Sequence, residues 1–167
     1  AVRAIGDATG QRAVYVHTDV AKRDSVSAMV ERVAMEFGRI DVLANVAGIL
    51  VVERVDDIQE ESFSRLVSIN LWGTILTCQT VLPQMRKQGG GRIVNVAAAG
   101  AQRPVKGLGA YAATKGGVIT FSKVLATEVA DDNVIVIAVS PGDSPRSRAI
   151  SPIDRPSQPR FLGSGTR

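Results

Sequence analysis

One cysteine, one histidine and a 4% share of aromatic residues are the scarcities of this 167-residue sequence. With Cys78 alone, neither an internal disulfide nor a cysteine-based metal cluster can form, and a reducing, cytoplasmic setting is the expectation. His17 builds no metal site without several carboxylates, so no metal is expected; it reads as a half-buried or surface histidine. No unbroken apolar run approaches the ~18 residues that span a bilayer. The longest strongly aliphatic stretch, Val134 to Val139, is strand-sized, so no membrane partner is expected. The N-terminus lacks the basic region, apolar stretch and small-residue cleavage site of a secretory signal. No internal repeat is visible.

Hydrophobic residues make up 45% of the chain, enough for one domain with a real core. The formal charge of +4 raises the question of a polyanionic partner. Charge placement answers it: residues 141–167 hold five arginines against two aspartates, while the preceding 140 residues are nearly balanced. Five arginines in a segment with no folded scaffold do not make a nucleic-acid site, so none is expected.

The chain alternates helix and strand signals. Residues 1–10 read as the end of a helix closed by Gly10, and Ala13 to Val16 as a short strand. Asp24 is the expected cap of a helix whose Val26, Met29, Val30, Val33, Ala34 and Phe37 share one face, ended by Gly38. Ile40 to Val46 reads as a strand buried on both faces, with Gly48 in its turn. A long helix over 61–86 with a late bend at Pro83, a strand over 93–98, a helix over 110–130 and a strand over 134–139 follow. This order predicts an α/β fold: a partial doubly wound, Rossmann-type parallel sheet flanked by helices in three α/β/α layers. Residues 143–167, rich in Pro, Ser and Arg, read as a disordered or non-native tail.

Ligands of open α/β sheets bind at the carboxyl ends of the strands, and several candidates fall there: Asp19, Asn45 with Gly48, Ala98, and Pro141 with Gly142. Small residues such as Ala47 and Gly48 let a flat cofactor approach the backbone, and Asp19 can accept from an adenine amine or a ribose hydroxyl. Tyr111 and Lys115 lie four apart near a helix start and project from one face. An ammonium beside a phenol favours the phenolate and brings its chemistry toward neutral pH.

Asp19-Val20, Asn45-Val46-Ala47-Gly48, Asn70, the run from Gly91 to Val96, Tyr111-Ala112-Ala113-Thr114-Lys115 and Ser140-Pro141-Gly142 occur in order at fitting separations. As a set they resemble the short-chain dehydrogenase/reductase family, nearest in flavour to its 3-oxoacyl-carrier-protein reductase-like members, over about residues 1–142. The resemblance implies hydride transfer between NAD or NADP and a small alcohol or ketone. It implies Tyr111 exchanging the hydroxyl proton, Lys115 holding the nicotinamide ribose and lowering the phenol's pKa, and Asn70 positioning a water in the proton relay. Asp19 and Val20 would meet the adenine, Asn45 to Gly48 the adenosine ribose and nearby backbone, and Pro141-Gly142 the nicotinamide.

Four features depart from the family pattern. The position of its catalytic serine, thirteen residues before the tyrosine, holds Ala98 between Ala97 and Ala99, so impaired activity is expected. The family's opening strand, glycine-rich turn and helix have no counterpart: the glycine run Gly89 to Gly91 precedes a strand, and the chain enters the pattern at about the third helix. The segment after Gly142 lacks the family's continuation, and Val46 stands where the family usually has a second Asn. An alternative is therefore a non-catalytic structural or interaction protein, forming homo-oligomers through helices 61–86 and 110–130.

Overall fold

The computed structural model describes residues 2–142; the expected tail at 143–167 lies outside the described residues. Helix α1 is Val2–Thr9 and α2 is Arg23–Phe37. Strand β1 is Val42–Asn45. Helix α3, Glu60–Leu66, continues through a π-helical turn at Val67–Trp72 into α4, Gly73–Lys87. Strand β2, Gly91–Val96, helix α5, Gly109–Glu128, and strand β3, Val134–Val139, complete the order. The strands form one parallel sheet in the order β1-β2-β3. The parallel α/β architecture expected from the alternation is the one observed.

Local chemistry explains most boundaries. Gly38 closes α2 in the left-handed region at φ 77°, its N–H donating to the Ala34 carbonyl. Asp24 is not the cap: Lys22 holds that position, and Asp24 lies in the first turn, where its charge favours the helix N-terminus. Asn133, at φ 54°, reverses the chain into β3, and its side-chain amide donates to Gly89 O at 2.9 Å. At Gly90, φ 136°, a Cβ would stand 2.4 Å from Asn133 O, so only glycine fits there.

Two expectations need correction. Ala13 to Val16 forms no strand, because no neighbour in the sheet offers it a hydrogen-bonding ladder, and Tyr15 is largely exposed. The strands are also not buried on both faces. Successive right-handed crossovers in the same direction across a parallel sheet place their helices on the same side. Accordingly Ile93, Val134 and Val136 pack with Val30 of α2, with Cys78, Val81, Leu82 and Met85 of α4, and with Leu125 and Val129 near α5. The opposite face carries the rung Val42, Arg92 and Ile135 and the rung Ala44, Val94 and Ile137. Val42, Ile135 and Ile137 there are 57%, 54% and 48% exposed. Among the described residues, the helical layer covers one face of the sheet.

By length and composition Glu60–Lys87 could cross a bilayer, although polar residues interrupt its apolar ones. In the fold its Leu66, Leu76, Val81 and Met85 are buried in the protein interior.

Candidate active site

Helix α5 presents Tyr111, Thr114 and Lys115 in its first two turns, facing the carboxyl ends of β1 and β2. Lys115 is buried, and its Nζ donates to the Val96 carbonyl at 2.8 Å, just where β2 ends. Gly48 lies against the same ammonium: a Cβ there would stand 3.4 Å from Lys115 Nζ and 3.1 Å from Asn70 Oδ1. Glycine is what lets the loop after β1 pass so close to both groups.

Asn70 is fully buried in the π-helical turn. Its Oδ1 accepts from Ile49 N–H at 2.8 Å, and its Nδ2 donates to Ile49 O at 2.9 Å and to Thr114 Oγ1 at 3.3 Å. This two-way grip on the backbone of one residue fixes the loop after β1 against α5. The side-chain amide is thereby engaged in positioning the loop.

Tyr111 lines two adjoining cavities. The smaller, about 180 Å³, also takes in Gly48, Val96 and Lys115. The larger, about 410 Å³, is bordered by Leu50, Ala98, Arg103, Leu108, Pro141 and Gly142. The expected Tyr111, Lys115, Asn70, Gly48, Ala98, Pro141 and Gly142 are thus brought to one end of the sheet. At Ala98 no hydroxyl faces the cavity.

Burial governs both titratable groups. Loss of hydration holds the Tyr111 phenol above its usual 10.0 and pulls the Lys115 ammonium below its usual 10.5. Desolvation is the dominant influence on each group.

The adenine-side residues divide. Val20, Asn45 and Ala47 border a small gap against Gly73, whose missing side chain admits Val20. Asp19 Oδ1 accepts from Ala21 N–H at 3.0 Å, and the Asp19 N–H donates to Ser25 Oγ at 2.8 Å, forming a tight turn before α2. Asn45 does not offer its side chain to a ligand. Alternation along β1 turns it toward the helices, where its Nδ2 donates to Asn95 Oδ1 at 2.8 Å and its Oδ1 accepts from Thr77 Oγ1 at 2.7 Å.

Sequence reading missed the rest of that network. Asn95 Nδ2 donates to Ser122 Oγ at 2.9 Å, and Cys78 Sγ lies 3.4 Å from Asn45 Nδ2. The visible signal is an asparagine inside each of two apolar strands, which demands polar partners. Among the described residues no group of His, Cys, Asp or Glu could hold a metal ion.

The sequence model of the short chain dehydrogenase family matches residues 1–147. The chain is 37% identical over 142 residues to a 3-oxoacyl-acyl-carrier-protein reductase of Chlamydia muridarum, covering 85% of this chain and 57% of the relative. It is 36% identical over 124 residues to a D-beta-hydroxybutyrate dehydrogenase of Rhizobium meliloti, covering 74% and 48%. The fold superimposes on the crystal structure of an NAD+-bound xylitol dehydrogenase with a TM-score of 0.81 at 32% identity, covering 84% of this chain and 54% of that one. The chain spans about half the length of the curated relatives it matches. On this match of sequence and fold, the chain belongs to the short-chain dehydrogenase family.

Proposed function

We propose that the chain carries the proton-transfer end of an NAD(P)-dependent oxidoreductase acting on a small alcohol or ketone, weakened by the alanine at position 98. The observation that carries this reading is the convergence of Lys115, Gly48 and Asn70 at the end of β2, with Tyr111 bordering the same cavity. An ammonium buried against a backbone carbonyl, facing a glycine that leaves room beside it, fits the ribose hydroxyls of a nicotinamide nucleotide. When bound, that cofactor supplies or accepts the hydride.

The chain's own groups manage the proton. In ketone reduction the Tyr111 phenol donates its proton to the carbonyl oxygen; in alcohol oxidation the phenolate takes it back. Lys115 stabilises that phenolate electrostatically once the substrate side is desolvated, and Asn70 holds the loop that sets their spacing. Pro141 and Gly142 border the cavity where the nicotinamide ring would lie. Asp19 and Val20, with the backbone of Asn45 and Ala47, remain the residues for the adenosine end; neither NAD nor NADP is preferred. Ala98 offers a methyl group where the developing oxyanion needs a donor, and loss of such a donor typically costs ~10²- to 10³-fold in rate. Residues 1–142 form the catalytic unit in this reading, in a cytoplasmic setting consistent with the buried free thiol of Cys78.

A second reading is a non-catalytic homo-oligomer. Phe63, Trp72 and Val124 are exposed on helices α3 to α5, in keeping with a partner surface over 61–86 and 110–130.

Turnover of simple ketones by the 167-residue chain with NADH and NADPH, beside Tyr111→Phe, separates the two. Activity lost by at least ~10²-fold in the variant supports the catalytic reading. Equal rates in both proteins, or none in either, leave the oligomeric one.

A further inference from the structure

The larger cavity beside Tyr111 is mostly apolar, walled by Leu50, Val105, Leu108 and the alanines after β2, and among its lining residues Arg103 alone is charged. The backbone of this exposed arginine is anchored: Ala99–Ala101 forms a 3₁₀ turn, and the Arg103 N–H donates to the Ala99 carbonyl at 2.9 Å. Arg12, Arg32, Arg39, Arg54 and Arg86 each have a carboxylate partner. Arg103, like Arg23, Arg65 and Arg92, has none among the described residues; it is set apart by lining this cavity, where no acid stands beside it. A guanidinium is always charged, presents donors in a fork that fits an oxyanion, and gains strength beside apolar walls.

We infer that Arg103 selects substrates carrying an anionic group, so that the ketone or secondary alcohol presented to Tyr111 is an oxo acid, a hydroxy acid or the corresponding phosphate. This deepens the proposed oxidoreductase reading and rests on it. The cavity, at about 410 Å³, has room for a short carbon chain between the carbonyl at Tyr111 and the oxyanion at Arg103.

The test is ligand binding to the full chain, followed by the NMR signals of the Tyr111 ring, assigned with Tyr111→Phe. The probes are 4-oxopentanoate, its neutral methyl ester, and hydroxyacetone phosphate. An anionic ketone is expected to bind at least about tenfold more tightly than the ester, a charge-assisted margin. Arg103→Gln should abolish that margin and Arg103→Lys keep part of it, with circular dichroism showing both variants folded. A stronger response to hydroxyacetone phosphate assigns the anion as phosphate, and the reverse as carboxylate. Equal affinity for ester and acid, with both moving the Tyr111 signals, overturns the role of Arg103 while leaving the oxidoreductase reading intact. If no ketone moves those signals, both fall. A margin that survives in Arg103→Gln likewise removes the proposal.

Discussion

Asn45 and Asn95 stand directly opposite each other in β1 and β2, and Asn45 Nδ2 donates to Asn95 Oδ1 at 2.8 Å on the helix-covered face of the sheet. Asn95 is fully buried, and passes the chain of hydrogen bonds on to Ser122 in α5, while Thr77 of α4 closes it at Asn45. One ladder therefore sets the register of two strands and ties both crossover helices to them. Its groups are mutually satisfied, and no buried side-chain polar atom among the described residues lacks a partner. Removing one member leaves others orphaned.

Asn95→Ala should consequently lower the unfolding free energy by roughly 2–4 kcal/mol, from lost packing plus unpaired buried groups. Asn45→Ala should act in the same direction. The double variant should cost less than the two single changes added, since each already strands the other's partner. Urea titration of the four proteins checks this; additive losses would mean the pair is not coupled.

Cys78 gives a pH signature. Burial pushes its thiol from 9.0 up to about 11, against smaller opposing contributions from its hydrogen bonds to Asn95 and Asn45. The folded chain thus keeps a proton that the unfolded chain has lost, so stability is full below pH 9 and declines as pH rises toward 11. Tyr111, also raised by burial, adds to the decline above pH 10, whereas Lys115, lowered by burial, opposes it below 10.5. The difference between wild type and Cys78→Ser isolates the thiol. It should fall across this window by a few kcal/mol, at ~1.4 kcal/mol per pH unit. A flat difference curve would show the thiol to be solvated.

The face of the sheet opposite the helices offers a different prediction. Exposed Val42, Val46, Ile135 and Ile137 form an apolar surface of the kind that promotes association. Ile137→Lys should reduce concentration-dependent association in sedimentation, while changing unfolding free energy by about 0.5 kcal/mol or less, as for a surface site. A loss above about 2 kcal/mol would instead mean that this face is covered in the folded chain.

Much of the fold was legible because helices announce themselves locally. The apolar face of α2, the left-handed stop at Gly38 and the Tyr111/Lys115 pair on α5 all follow from spacing within a single element. The failures concern relations between elements. Ala13 to Val16 has strand-forming residues, but a strand exists only where a neighbour pairs with it. Apolar runs such as Val134 to Val139 look alike whether one face or two are covered, so the open face was invisible. In the site, Tyr111 and Lys115 are legible from the family motif, whereas their desolvation depends on packing that no spacing records. The grip of Asn70 on Ile49 was not legible, since it crosses 21 residues of chain.

Position 98 tests the account most directly. The cavity beside Tyr111 is lined by the Ala98 methyl group, where the proposed oxidoreductase reading calls for a hydrogen-bond donor. The decisive measurement is the rate of ketone reduction by the full chain and by Ala98→Ser, each with NADH and with NADPH, in proteins shown to be folded. The account predicts a gain of at least ~10²-fold in Ala98→Ser that disappears when Tyr111→Phe is added. A folded Ala98→Ser protein no faster than wild type, or a gain that survives without the Tyr111 hydroxyl, would contradict it.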